Sequence, residues 1–293
     1  MKISACCFIK NTFAGAYCCF ESLANALTIA DEVIIMDLGS TDGTLEELEL
    51  MALSNPKIKL VHSTFKEIDA GIFATLANDL IAMCKYDTVW YYQADEIWHE
   101  NLLRIMKEKL DLGIDDLSFW RVQLGENWQL MRQFPQRVDR IGKKNNFNFV
   151  GDGMNSDRYN DPQICSNFDG GWFIKWGTVF EAFPTLLPTH EMILDVSLIG
   201  AFRDNIFDRK SQHSPFWRDG LDMPYWKDGV EGRIPMEDWI EVQRLNTNWI
   251  KSSSPYQIPK IMKGLVGDLK YRLRDEVKKA IIEDKTGELI WTQ

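Results

Sequence analysis

The chain has 293 residues, a net charge of -10 and a sequence pI of about 5.0. Such a balance excludes general binding to a phosphate backbone, which needs clustered cations, so no nucleic-acid partner is expected. Hydrophobic residues make up 45%, enough for a sizeable buried core in a soluble globular protein.

The opening segment, MKISACCFIKNTFAGAYCCF, is apolar but is interrupted by Lys10 and Asn11. It has no positive leader followed by a cleavage site, which argues against a signal peptide. No apolar run reaches the length of about 18 residues that a membrane span requires. The cysteines are Cys6, Cys7, Cys18, Cys19, Cys84 and Cys165, with no C-x-x-C pair. Buried free thiols in a reducing compartment fit this pattern better than a zinc site, and a cytoplasmic location follows as the expectation.

In chain order, Lys2 to Ile9 predicts a strand and Cys18 to Ala30 a helix. DEVIIMD, ending at Asp37, predicts a second strand and is followed by the turn-rich LGSTDGT. Thr44 to Leu53 reads as a helix, Ile58 to His62 as a strand and Ile72 to Cys84 as a helix. TVWYYQ is a further strand that stops at Ala94-Asp95-Glu96. Strands separated by helices of this length imply βαβ units in an α/β fold with a mostly parallel sheet. Continuous apolar runs such as VIIM suit strands covered on both faces.

Leu102 to Leu110 then predicts an amphipathic helix and LSFWRVQL another strand. From there to about Phe183, Asn, Asp, Gly, Trp and Phe become dense and helical periodicity fades, as in an irregular region whose aromatic side chains line a cleft. From about Met236 the chain turns helical again, with an amphipathic, locally basic stretch from Ile258 to Lys285. This divides the chain into 1–120, a Rossmann-like binding unit, 121–235, an acceptor region, and 236–293, a helical segment. The basic helix could touch an anionic membrane surface, but its acids Asp268, Asp275 and Glu276 favour ordinary packing and leave membrane contact at most peripheral.

Two predicted strands end in acids, Asp37 and Asp95. In open α/β sheets ligands bind beyond the carboxyl ends of the strands. A carboxylate there can accept from a base N–H or a ribose hydroxyl. It can also hold Mg²⁺ or Mn²⁺, which take one or two carboxylates together with phosphate oxygens and water. Acids ending two apolar strands are costly to leave without a partner.

The string MDLGSTDGT resembles the D-x-G-S-x-D-G-T segment of family 2 glycosyltransferases with the GT-A fold, and YYQADE resembles their D-x-D element. Lys10-Asn11 after the first strand, Ser22 in the first helix and Ala77-Asn78 before the next strand add to the likeness, which covers about the first 110 residues. The resemblance implies a transferase moving a sugar from a nucleotide donor to a glycan or glycolipid acceptor, with inversion and with Mn²⁺ or Mg²⁺. A UDP-sugar is the favoured donor and a GDP-sugar the alternative. It gives Asp37 the base or ribose contact, and Asp95 the metal. Lys10, Ser40, Asp42, Asn78, Gln93 and Ala94 join the nucleotide-sugar site, with Asp42 equally suited to capping the next helix. Gln93 stands where the family usually has an Asp, which removes a charge and weakens the metal site while leaving a hydrogen bond to ribose open. Glu96 and Glu100 could support the metal, or Glu100 could serve as a first-turn acid.

An inverting transfer needs a carboxylate to deprotonate the acceptor. Asp152, between two glycines after FNFV, is the leading candidate, ahead of Asp157, Asp169 and Glu181. Arg137 is assigned to donor phosphate, with pairing to nearby acids as the alternative for it and Arg140. His213, ahead of His190, is the candidate second metal ligand, or faces the diphosphate from a closing loop. Trp172, Trp176 and Trp217 are candidates for stacking on an acceptor sugar. Two other readings stay open: a sugar nucleotidyltransferase, for which IKNTFAGAY is a poor phosphate loop, and a glycan- or nucleotide-binding protein that has lost transfer.

Overall fold

The computed structural model describes residues 1–15, 17–63, 72–115, 117–123, 130–132, 136–150, 259–262 and 271–291, with short strands between 163 and 251. Asp152, Asp157, Asp169, Glu181, His190, Trp176, His213 and Trp217 lie outside the described residues, as does Cys165.

The first four strands are β1 (Ile3–Ile9), β2 (Glu32–Asp37), β3 (Ile58–His62) and β4 (Thr88–Tyr91). They pair in parallel in the order β3-β2-β1-β4. The connections carry α1 (Thr12–Gly15) and α2 (Cys19–Leu27), then α3 (Thr44–Ser54), then α4 (Ile72–Met83). Parallel neighbours require such crossovers, because a tight turn can only reverse the chain. The alternation predicted from the sequence is therefore the alternation found, apart from the short α1.

The sheet then continues beyond β4 with mixed directions. After β5 (Glu96–Trp98) and α5 (Glu100–Asp111) come β6 (Leu117–Gln123), β7 (Leu130–Arg132) and β8 (Gln136–Lys143). Short strands follow: β9 (Phe149–Val150), β10 (Gln163–Ile164), β11 (Trp172–Phe173) and β12 (Ile193–Asp195). The nine-stranded sheet runs β3-β2-β1-β4-β8-β6-β12-β5, with β11 also on β6. β8 is antiparallel to both β4 and β6. The predicted irregular region thus contributes regular strands to the same sheet. Its Arg- and Asp-rich spelling, QRVDRIGK, hid β8, since charged residues are uncommon inside a central strand.

The period-two pleat sends alternate residues of the parallel strands to two cores. Ile3, Ala5, Cys7, Ile9, Val33, Ile35 and Trp90 face a cluster with Phe20, Leu23, Leu48 and Met51 from α2 and α3. Cys6, Ile34, Met36, Val89 and Tyr91 face Ala74, Leu76, Ala77, Leu80 and Ile81 from α4. Trp98 lies edge-on between Trp90 and Phe119, with centroid separations of 4.8 and 4.7 Å. The five described cysteines are buried and form no disulfide. Burial pushes the Cys7 thiol up to about 12 and raises Cys6 and Cys19 as well, so these thiols stay protonated and inert.

The carboxy-terminal stretch differs from the continuous helix expected. Among the described residues, Arg274 has an extended backbone (φ -84°, ψ 142°), a 3-10 turn covers Lys260–Met262, and the α-helices are α6 (Asp275–Ile282) and α7 (Thr286–Trp291). The chain is held extended there by buried polar contacts. Tyr271 donates its hydroxyl to Glu21 Oε2 at 3.0 Å, and the Arg274 guanidinium pairs with Glu21 Oε1 and donates to the Ile261 carbonyl. α6 buries Val277, Ala280 and Ile281 in the core formed with α2 and α3. Asn55 Nδ2 donates to the Ile281 carbonyl at 2.7 Å. This amphipathic face is therefore spent on packing. Among the described residues no helix is long and apolar enough to cross a membrane.

Two predictions come from this docking. Asn55→Ala removes the side-chain donor to the Ile281 carbonyl, which keeps a long 3.4 Å bond from Asp284 N, and the acceptor of the Lys57 N–H; it is expected to cost about 1–3 kcal/mol in urea unfolding. Glu21 is fully buried and its carboxyl is raised by desolvation, against the opposing pull of Arg274. A raised acid favours the folded state when protonated, so the stability of wild type relative to Glu21→Gln should improve as pH falls and worsen as pH rises through the shifted value. Melting temperatures of both proteins across an acidic pH series check this.

Candidate active site

β1 is the central strand of the parallel set, with β2 on one side and β4 on the other. Ile9 is in register with Asp37, and Tyr92 continues from β4 by donating its N–H to the Cys6 carbonyl at 3.1 Å. Topology therefore brings three segments to one edge: Lys10-Asn11 after β1, Asp37 with its loop after β2, and Gln93 to Asp95 after β4. This edge is where an open α/β sheet binds ligands.

The loop after Asp37 is stitched to the segment after β1 by side-chain oxygens. Asp37 Oδ2 accepts from the N–H groups of Gly39 and Ser40, both at 2.9 Å. Ser40 Oγ accepts from Asn11 N at 2.9 Å, and Asn11 Oδ1 accepts from Thr41 N at 2.8 Å. Asp42 accepts from Ala14 N at 2.8 Å and from Thr44 N at 3.1 Å, and Thr44 Oγ1 accepts from Thr12 N at 2.9 Å. Asp42 therefore does cap the start of α3 and also ties in α1. Gly39 and Gly43 have φ of 79° and 93°, a region where a side chain is strained. Asn11, at φ 49°, is one of the few other residues that tolerates it.

One atom in this loop has no internal use. Asp37 is 1% exposed, and its Oδ1 is buried without a hydrogen-bond partner. A carboxylate oxygen left so is costly. Its position at the end of a strand on the binding edge makes an incoming donor group its natural partner.

The second element, Gln93 to Glu96, is a turn held from three sides. From α2, Ser22 Oγ donates to the carbonyls of Gln93 and Glu96, and Asn25 Oδ1 accepts from Trp98 N at 2.8 Å. From β8, Arg140 donates to both oxygens of Glu96, with Nη2 to Oε1 at 2.6 Å and Nε to Oε2 at 3.0 Å. From β6, Arg121 Nη1 donates to Gln93 Oε1 at 2.9 Å and stands 3.6 Å from Glu96 Oε1. Glu96 is fully buried, and Arg140 and Arg121 are 2% and 7% exposed. Glu96 is therefore engaged by arginines, not by a metal as the sequence had allowed. Asp95 sits beside this frame, half-buried, and Glu100 accepts from Lys260 N at 3.1 Å.

The remaining predicted residues are spread around this edge. Asn78 in α4 pins β9, accepting from Phe149 N and donating to Phe149 O, both at 2.9 Å. Lys10 and Ala94 lie at the edge, half-buried. Arg137 pairs with Trp120 across β8 and β6, and its side chain, like that of Trp172, is outside the description. Sequence reasoning did not find Arg121; for Arg140 it offered pairing with a nearby acid, and Glu96 is that acid. Their alternation along β6 and β8 was the available signal, but it required knowing that these strands lie next to β4.

The sequence model for the glycosyl transferase family 2 domain matches residues 9–168, which include both elements. The chain belongs to glycosyl transferase family 2. Among solved structures, S. aureus TarS is similar at 17% identity with a TM-score of 0.36, over 55% of this chain and 32% of TarS. S. aureus TarS 1–349 in complex with UDP is similar at 15% identity and a TM-score of 0.35, over 54% of this chain and 52% of that one. A 4-diphosphocytidyl-2C-methyl-D-erythritol synthase from Anaerococcus prevotii overlaps at 8% identity and a TM-score of 0.33, over 49% of this chain and 70% of that one. The chain thus spans about a third of the length of full TarS, and these loose overlaps carry no functional argument. No curated protein sequence matches it. What places the chain in this family is the domain match, with which the GT-A arrangement of parallel strands and flanking helices agrees.

The frame around its second element sets a stability prediction. Arg140→Met leaves Glu96 buried with its main partner gone and should cost about 3–5 kcal/mol, whereas replacing both residues by apolar ones should cost much less. Urea unfolding of the single and double variants measures the difference.

Proposed function

We propose that this family 2 glycosyltransferase uses a nucleotide-sugar donor, with UDP-sugars the first to test and GDP-sugars the second, and transfers the sugar with inversion to a glycan or glycolipid acceptor. The observation that carries the reading is Asp37 Oδ1, a buried acceptor without a partner at the edge where β2 ends. In this role Asp37 accepts from an N–H of the base or from a ribose hydroxyl, and the Asn11–Ser40–Asp42 stitching keeps its carboxylate from rotating away.

Asp95 is the proposed metal ligand. Among the described residues no group of three or more His, Cys, Asp or Glu side chains comes together. A single carboxylate fits Mg²⁺ or Mn²⁺ held mainly by the donor's own diphosphate and water. When bound, such an ion would supply Lewis-acid stabilisation of the departing diphosphate. The chain's residues hold the turn carrying Asp95, orient the nucleotide and present the acceptor's base. In this proposal that base is Asp152, the second metal ligand is His213, and Arg137 holds donor phosphate.

Donor binding stabilises the native state by an amount set by ligand concentration over Kd. A thermal-shift panel of UDP- and GDP-sugars with Mn²⁺ or Mg²⁺ should raise the melting temperature with one nucleotide class. Asp37→Asn keeps an oxygen for the Gly39 and Ser40 N–H groups but puts an NH₂ where Oδ1 stood. It is expected to leave the melting temperature of the free protein near wild type and to weaken nucleotide binding by about tenfold or more. Asp95→Ala should abolish metal-dependent turnover, measured as donor hydrolysis or transfer. Retained nucleotide binding without turnover of any donor would instead support a binding protein.

A further inference from the structure

Every residue of α2 is buried, and its three polar side chains are Glu21, Ser22 and Asn25. Ser22 and Asn25 hold the turn after β4: Ser22 Oγ donates to the Gln93 and Glu96 carbonyls, and Asn25 Oδ1 accepts from Trp98 N. Glu21, the residue before Ser22, holds the other end of the chain. It accepts from Tyr271 Oη at 3.0 Å and from Arg274 Nη2 at 3.5 Å, across 250 and 253 residues of sequence. Arg274 also donates to the Ile261 carbonyl and to Glu276 Oε1. The Tyr271 ring lies 6.1 Å from that of Phe13 in α1.

Glu21 is a costly residue for this place. It is fully buried, and desolvation of its carboxylate outweighs the attraction of Arg274. Apolar groups of the same volume often stabilise as well as a buried ion pair or better, so packing alone does not call for it. A carboxylate does what an apolar group cannot. It accepts from Tyr271 and Arg274 only where their donors meet it, which gives the carboxy-terminal segment one docked position. α2 is nine residues long, about 14 Å, and its two ends move together. A shift at Glu21 is passed to Ser22 on the next residue and to Asn25 one turn later.

We infer that Glu21, Tyr271 and Arg274 are positioning residues: by docking the carboxy-terminal segment they fix α2, and through Ser22 and Asn25 they set the place of the turn that carries Asp95. The role given to Asp95 rests on the nucleotide-sugar reading above; the mechanical link does not. The Asp37 carboxylate is held by the N–H groups of Gly39 and Ser40, not by α2. The two halves of the active edge therefore respond differently when the docking is weakened.

The test is amide hydrogen exchange of the full chain, read by mass spectrometry, for wild type, Tyr271→Phe and Arg274→Lys. Tyr271→Phe removes one hydroxyl and keeps the ring on Phe13, while Arg274→Lys keeps a cation for Glu21 but gives up the planar fork. The reference is wild type brought to the same overall stability with urea. Against it, the amides of Gln93, Glu96 and Trp98 should exchange about tenfold faster in both variants. The amides of α4, which packs in the other core, should exchange alike. In donor hydrolysis both variants should need about fivefold or more Mn²⁺ for half-maximal turnover, with metal-free affinity for UDP or GDP within about threefold of wild type. Turn amides that exchange as in the reference, acceleration shared equally by α4, or an unchanged Mn²⁺ requirement in an active variant would overturn the inference. If one variant does not fold, the other decides. Wild type that binds neither UDP nor GDP and hydrolyses no donor sinks the nucleotide-sugar reading, and the exchange comparison then decides the inference by itself.

Discussion

The ion pair between Glu96 and Arg140 is the constraint around which the active edge is arranged. Two charges are taken almost completely out of water, and such a pair is tolerable only when the geometry is good and the remaining lone pairs are used. Both conditions hold here. Arg140 engages both carboxylate oxygens, and Gln93 N and Arg121 approach the same group. Because Glu96 begins β5 while Arg140 lies in β8 and Arg121 in β6, these contacts tie three strands of the mixed half to the turn that follows β4. The turn that carries Asp95 sits between these anchors, so its position is set by the packing of three strands and α2 more than by its own sequence.

The opposite side of the edge is organised differently. Around Asp37 the fixing contacts are short-range in space and neutral or charge-assisted hydrogen bonds between two loops. Asn11, Ser40, Asp42 and Thr44 each give a side-chain oxygen to a backbone N–H of the facing or following segment. Such bonds satisfy amides that no strand or helix uses. They leave Asp37 Oδ1 buried without a partner, an acceptor that an incoming donor group would satisfy. A rigid two-sided edge, with one face fixed by ions and the other by amide stitching, suits a reaction that depends on positioning a flexible donor.

The carboxy-terminal helices extend the same logic to the back of the molecule. Tyr271 and Arg274 reach the buried Glu21 on α2, the helix that also supplies Ser22 and Asn25 to the active turn. Adjacent residues of α2 thus serve the two ends of the fold. A change in how the carboxy-terminal segment docks is therefore coupled to the turn through a single short helix.

The amino-acid sequence by itself determined the parallel half of the sheet and the acid that ends its second strand. Hydrophobic periodicity and turn chemistry are local signals, and βαβ units keep paired strands close along the chain. Asp37 was legible for the same reason, since its apolar run does end as a strand there, whereas Asp95 lies four residues beyond the end of β4 at Tyr91, in the turn before β5. Asp42 was legible as a residue with a structural role, and its contacts with Ala14 N and Thr44 N supply that role. Tertiary structure alone decided that Gln136–Lys143 is a central strand, that Glu96 belongs to arginines and that Gln93 points its oxygen at Arg121. Those contacts span 28 and 44 residues of sequence, and nothing in a local pattern specifies which buried charge will meet which. Only the closing of β8 against β4 and β6 brings Arg140 and Arg121 to the turn, because the register of those pairings, not the spelling of the motif, selects its neighbours.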